Sequence, residues 1–257
     1  CTSCHTQLPK KSYKAVETRY ETVFKNYMSS NNDKALMAYF LRDYQSSLVF
    51  LKEEVASKRA KFGYLEEFYN QILKIYLVNL NNDNELITFL KNEINLLKRN
   101  HHLVITLKSW VRDLEFWRNR DKDSVTEVGL IKLINEQLVK RESEIVNKVN
   151  PKNLVTLYSM QGIMTKFMLK NNSSVSEPIL LYWLGVIENY SSDIYLYSLG
   201  DLYLKKCVTS YPKSKVASKC FNAYEESIQN GFTGSNGLKL PEDVQLELKK
   251  LKKLISD

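Results

Sequence analysis

The chain is expected to fold as an all-α protein, an array or solenoid of about nine or ten antiparallel helices. Three observations predict this. Only 8 of its 257 residues are glycine and 5 are proline, too few for a sandwich or barrel, which must turn roughly every ten residues. Apolar residues recur every three or four positions over long stretches, the spacing that lines one face of a helix. The 16 tyrosines and 10 phenylalanines supply the flat, bulky side chains that fill helix–helix interfaces. Hydrophobic residues make up 44% and charged residues 26%, an ordinary balance for a globular chain long enough to bury one large core or two smaller ones.

Leu8-Pro9 interrupts the chain before a first helix over residues 12–27, where Val16, Tyr20, Val23, Phe24 and Tyr27 share a face. Asn31-Asn32-Asp33 reads as a loop and N-cap signal. The next helix carries Leu36, Tyr39, Phe40, Tyr44, Leu48 and Leu51 and runs towards Lys61, with Gly63 at its end. The periodicity resumes over 64–80 through Phe68, Ile72, Ile75 and Tyr76, and 79–84 (NLNNDN) reads as a loop. A long helical stretch covers 85–120, with a break predicted at 99–102, and its second part ends in Trp110, Leu114, Phe116 and Trp117. Helices are expected over 125–149, closed by Asn150-Pro151, and over 153–169, closed by 171–174.

The last third carries more pattern. Glu177-Pro178 opens a helix with Tyr182-Trp183-Leu184-Gly185 and Tyr190, a second helix runs from 193 to 207, and Tyr211-Pro212-Lys213-Ser214-Lys215-Val216-Ala217 opens a third through Tyr224. This resembles the tetratricopeptide repeat, with a W-x-x-L-G-like first helix and a Y-P-x-S-x-x-A hinge. The tryptophan here directly precedes Leu-Gly instead of standing two residues further back, and about one and a half repeats are visible. The resemblance implies a small residue where paired helices approach and a proline where one helix must stop. After the loop Ser235-Asn236-Gly237, Pro241 starts a terminal amphipathic helix with Val244, Leu246, Leu248, Leu251, Leu254 and Ile255. Its lysines 249, 250, 252 and 253 suit the C-terminal end of the helix dipole, and the helix is expected to cap the array rather than lie on a membrane.

Residues 1–5, Cys1-Thr2-Ser3-Cys4-His5, spell C-x-x-C-H. They resemble the haem-attachment signature of c-type cytochromes. The resemblance covers these five residues only. It implies one haem c held by thioethers to Cys1 and Cys4, with His5 as proximal iron ligand and one-electron transfer, or haem anchoring in a larger respiratory or envelope assembly, as the activity. Three segments follow: 1–11 for haem attachment, a helical region 12–174, and a TPR-like region 175–257 continuous with it. The sixth iron position falls to His101 or His102, the other two histidines, which stand at the predicted helix break. A bis-histidine site would carry a low potential. The alternative ligand is a methionine, and Met160, Met164 and Met168 share one helix face, although methionine at that spacing more often fills core. Zinc held by Cys1, Cys4, His101 and His102 is the weaker metal reading, since the spacing is unlike a zinc finger. A thioredoxin-like use of Cys1 and Cys4 lacks the strand-to-helix junction it needs.

Cys207 and Cys220 lie near the facing ends of two predicted helices, at a spacing compatible with a disulfide. With Cys1 and Cys4 on haem, all four cysteines would then be used. A chain starting at cysteine also looks like a bacterial lipoprotein lipidated at Cys1, with the helices as an envelope scaffold. That competing reading leaves Cys4 odd. Both place the protein outside the cytoplasm, in the periplasm or at a membrane, where disulfides persist. The partners expected are redox or scaffold proteins of the cell envelope, with membrane association through a lipid or a partner. The formal charge of +8 and pI near 9.1 come mostly from lysine. They suit an acidic partner or a solvated basic surface. No basic stretch interleaves with aromatics, so nucleic acid is not expected. No G-x-S-x-G and no phosphate-cradling glycine loop occurs, so the chain reads as a carrier or binding protein rather than an enzyme.

Overall fold

The computed structural model describes residues 30–58, 65–97, 101–120, 124–146, 153–171, 175–191, 199–234 and 237–256. The helix expected over 12–27 lies outside them. The described residues are all-α apart from one antiparallel pair of two-residue strands. The chain divides into two compact units, residues 1–121 with 152–162, and residues 122–151 with 163–257.

In the first unit, α1 (Asn31–Phe40) and α2 (Tyr44–Lys58) form a tight helical hairpin. The sequence predicted one helix here, because the apolar period runs unbroken across the junction. The chain instead turns at residues 41–43, where Arg42 takes a left-handed φ of 62° and Asp43 caps the next helix by accepting from the Ser46 N–H at 3.2 Å. The cap of α1 is Ser30, whose hydroxyl oxygen accepts from the Asp33 N–H. The expected loop at Asn31–Asp33 is therefore the helix's first turn. The buried face of α1 consists of Ala35 and Ala38, not Leu36, Tyr39 and Phe40, which are half-buried. Alanines let the two helices approach closely enough for the Ser47 hydroxyl to donate to the Ala35 carbonyl at 2.8 Å.

Helix α3 (Leu65–Lys74) runs straight into a π-helical turn at Ile75–Leu80. The loop expected at 79–84 shrinks to two residues. Asn81 adopts the left-handed conformation that asparagine tolerates, and the Asn82 side chain accepts from the Glu85 N–H to cap α4 (Asp83–Leu96). Helix α5 (His101–Arg118) follows, so the break predicted inside 85–120 is present. Its inner face carries Leu103, Leu107, Trp110, Leu114 and Trp117, at successive spacings of 4, 3, 4 and 3. The start of α8 (Leu154–Lys170) belongs to this unit as well. There Gly162 sits so close to the π-turn that a β-carbon on it would stand 2.5 Å from the Leu77 carbonyl oxygen.

In the second unit, α6 (Glu127–Gln137), a 3-10 turn at Val139–Arg141 and the short α7 (Glu142–Val146) replace the single helix expected over 125–149. The buried Leu138 marks the bend, with no glycine or proline to signal it. Helix α9 (Glu177–Tyr190) is the central element, buried continuously from Leu180 to Glu188. It packs on α10 (Gly200–Ser210) and α11 (Ala217–Gly231). Gly185 stands where α9 and α10 approach, as a β-carbon there would lie 2.5 Å from the Leu204 side chain and 3.1 Å from the Gly200 carbonyl. A hairpin of β1 (Thr233–Gly234) and β2 (Gly237–Leu238) leads to α12 (Glu242–Ser256). As expected for a capping helix, α12 rests on α10 and α11. Leu248 and Leu251 are turned inward, but Leu246 and Leu254 face solvent.

Placing alanine at Gly162 sets two effects against each other. Alanine favours a helix over glycine by about 1 kcal/mol, but here its methyl meets a backbone oxygen that cannot rotate away, and overpacking of that kind costs about 1–3 kcal/mol. Gly162→Ala is expected to lower the unfolding free energy by a net of about 1 kcal/mol, read as a lower urea midpoint. Gly231→Ala, with nothing within 4 Å of the new methyl, should leave the midpoint unchanged or raise it. An unchanged midpoint for Gly162→Ala would mean the π-turn yields.

Candidate functional site

The expected haem-attachment residues Cys1, Cys4 and His5 lie outside the described residues. His101 is the first residue of α5, and His102 beside it is exposed. Met160 and Met164 are fully buried and Met168 half-buried, the packing role that methionine at helical spacing usually has. Cys207 on α10 and Cys220 on α11 are joined, with sulfurs 2.01 Å apart, and both are fully buried. Among the described residues no group of three or more His, Cys, Asp or Glu side chains gathers as a metal site. None of their helices is long and apolar enough to cross a membrane.

The structure brings together a set of side chains that the sequence did not single out. At several helix junctions a largely buried tyrosine passes its hydroxyl to a glutamate at the rim, and a lysine from a third segment closes on the same carboxylate. In the first unit, Tyr76 of the π-turn donates to Glu85 of α4. Lys52 of α2 donates to the Tyr76 hydroxyl at 2.7 Å and lies 3.3 Å from the Glu85 carboxylate. In the second unit, Tyr182 of α9 donates to Glu142 of α7 at 2.7 Å, and Lys219 of α11 donates to both Glu142 oxygens at 2.8 Å. Tyr224 of α11 donates to Glu247 of α12, which Lys205 of α10 meets at 2.9 Å. Lys206 of α10 reaches Glu177 of α9 at 2.9 Å, and Tyr211 bonds the same carboxylate.

One of these clasps, Glu142–Tyr182–Lys219, lines a groove of about 580 Å³ in the second unit. Its lining includes Glu142, Val146, Tyr182, Lys219, Ala223 and Glu226. The Tyr182 ring lies under the Lys219 ammonium, 5.8 Å from its centre. Both oxygens of Glu142 already accept charge-assisted hydrogen bonds, so this carboxylate is poorly placed to take a proton from a substrate. The groove is open to solvent and partly apolar through Val146 and Ala223. Sequence reasoning missed it because its three central residues are far apart, with Tyr182 40 positions and Lys219 77 positions from Glu142. No local spacing records such a meeting. No family model, curated protein or solved structure matches this chain.

The clasps carry a pH signature. The hydrogen bond from Tyr76 holds the Glu85 carboxyl below its ordinary 4.5, and the bond from Tyr224 does the same to Glu247. Burial, then the adjoining carboxylate, pushes Tyr76 and Tyr224 well above the ordinary tyrosine value of 10.0. A lowered carboxyl stabilises the fold above its unfolded value and loses that contribution as pH falls through the folded one. A raised hydroxyl stabilises below its unfolded value and loses that contribution as pH rises. The contribution of the Tyr76–Glu85 and Tyr224–Glu247 clasps to stability is therefore expected to be level between about pH 4.5 and pH 10 and to fall outside that window. Tyr76→Phe and Tyr224→Phe should each cost about 1.5–3 kcal/mol at neutral pH, the value of a hydrogen bond to a charged group, and should flatten the acid limb in urea titrations. Retention of the full acid limb in both variants would assign it to other groups.

Proposed function

We propose that the chain is a disulfide-stapled helical scaffold that works outside the cytoplasm and holds other proteins of a cell-envelope assembly. The observation that carries this reading is the Cys207–Cys220 bond, buried between α10 and α11. Structural disulfides of this kind persist in oxidising compartments and are rare where thioredoxin and glutathione operate. The clasped, open groove beside α11 supports a binding role over a chemical one. Within this reading α9, α10 and α11 act as a TPR-like pair and its successor, with Gly185 as the small residue at the close approach.

A second reading is favoured by the thiol bookkeeping. Two of the four cysteines are taken by the disulfide, and the other two are Cys1 and Cys4, immediately before His5. That donor set fits one covalently attached haem, with His5 binding the iron and Cys1 and Cys4 fixing the porphyrin edge. A haem so held would supply one-electron chemistry. The protein would then be a monohaem c-type carrier or a haem anchor, with the helical bulk presenting it to a partner.

One set of measurements separates the two. Native protein is alkylated with and without reductant, mapped by mass spectrometry, and its reduced visible spectrum recorded before and after acid–acetone extraction. Both readings expect Cys207 and Cys220 to react only after reduction, and reaction without reductant would overturn the extracytoplasmic assignment. A haem spectrum that survives extraction, with Cys1 and Cys4 closed to alkylation even after reduction, selects the carrier. A colourless protein whose Cys1 and Cys4 alkylate rejects the haem and leaves the scaffold.

A further inference from the structure

The second unit contains another groove, of about 380 Å³, between the β1–β2 hairpin, α11 and α12. That volume is within the roughly 300–1,000 Å³ of ordinary ligand sites. Leu238, Leu240 and Leu248 line it, Lys249 and Lys252 stand on its rim, and Glu225 is the one carboxylate in the lining among the described residues. The Gln245 side-chain amide donates to the Leu240 carbonyl at 2.8 Å, which fixes the leucine-bearing strand exit against the first turn of α12. Leu238 remains 47% exposed.

The lysines here differ from those of the clasps. Lys52, Lys205, Lys206 and Lys219 all meet carboxylates. Lys239, Lys249, Lys250, Lys252 and Lys253 are exposed and make no ion pair among the described residues. An unpaired cationic rim around a leucine floor is complementary to one kind of occupant. We propose that this groove docks an acidic peptide segment of a partner protein, seating an apolar side chain on Leu238, Leu240 and Leu248 while flanking carboxylates meet Lys249 and Lys252. The proposal deepens the scaffold reading and rests on it, since it names the chemistry of one partner.

Other occupants fit less well. A second copy docking face to face through this groove would set Lys249 and Lys252 against their own counterparts. An anionic membrane needs an amphipathic helix with its apolar face free, but α12 has turned Leu248 and Leu251 inward.

The test uses the full chain and a fluorescein-labelled synthetic peptide of repeating Leu-Glu-Glu-Leu. Control probes are the same peptide with lysine for glutamate, an all-glutamate peptide, and phosphatidylserine–phosphatidylcholine vesicles. Saturable binding of the Leu/Glu peptide is expected, weakened about tenfold in K249E/K252E, where two exposed attractions become two repulsions. Leu238→Ser should weaken it about fivefold through lost apolar contact. If the charge reversal disturbs folding by circular dichroism, K249Q/K252Q serves instead, with a smaller loss of the same sign. Absence of saturable binding, equal affinity in the lysine and leucine variants, or equal binding of the all-glutamate peptide would each overturn the proposal. Vesicle binding that depends on Lys249 and Lys252, without peptide binding, would overturn it in favour of lipid. The thiol mapping above reports on the scaffold reading separately, so a failed docking site and a failed scaffold give different results.

Discussion

The interaction on which both units depend is the glutamate carboxylate held between a tyrosine hydroxyl and a lysine ammonium. Helices rich in leucine and tyrosine bury their seams readily, but an apolar seam alone tolerates sliding. A buried ring whose hydroxyl must find a partner does not. Tyr76, Tyr182 and Tyr224 each carry their ring inward and their oxygen to a carboxylate at the rim. Displacement of one helix by a turn would break the hydroxyl bond and the lysine contact together, leaving a half-buried polar group unpaired. The lysine–glutamate pair by itself is worth little, since exposed pairs contribute about 0–1 kcal/mol. Anchored to a tyrosine hydroxyl, it becomes part of a three-helix junction, and its value lies in specifying which helices meet and at what register.

Close backbone approach supplies a second constraint of the same kind. Gly162 against the π-turn carbonyl of Leu77, and Gly185 against Gly200 and Leu204, leave no room for a methyl group. In a chain with so few glycines, these two sit where helices touch and not where the chain turns. The turns are made by other residues: Arg42 and Asn81 take positive φ, and Ser30, Asp43, Asn82 and Thr126 cap helix starts.

That division explains what was legible in the sequence. The fold class was, because the 3.6-residue period and the scarcity of turn formers act over whole segments. The break near His101 and the hinge at Tyr211–Pro212 were, because each has a local signal. The bends after Phe40 and after Gln137 were not, since the apolar period continues through both and neither bend uses glycine or proline. The Cys207–Cys220 pairing could be suggested from spacing near facing helix ends. The Glu142–Tyr182–Lys219 groove could not, because its members meet only through the packing of α7, α9 and α11. Aromatic and charged residues at helical spacing are so common in this chain that nothing marks those three before the helices are assembled.

The charge of the chain has two uses once the clasps are seen. Lysines at helix junctions are neutralised by glutamates and serve the fold, so they contribute little field at a distance. The lysines of α12 and the preceding strand exit make no ion pair among the described residues, so positive charge is available there beside an apolar groove. A field of that kind affects encounter and selectivity more than stability. In the clasp around Glu247, Lys205 and Tyr224 tie α12 to the array, and this frees its opposite flank from any duty in the core. One carboxylate thus fixes the helix while the lysines two and five positions further on stay available, and structure and recognition are divided between two sides of the same helix.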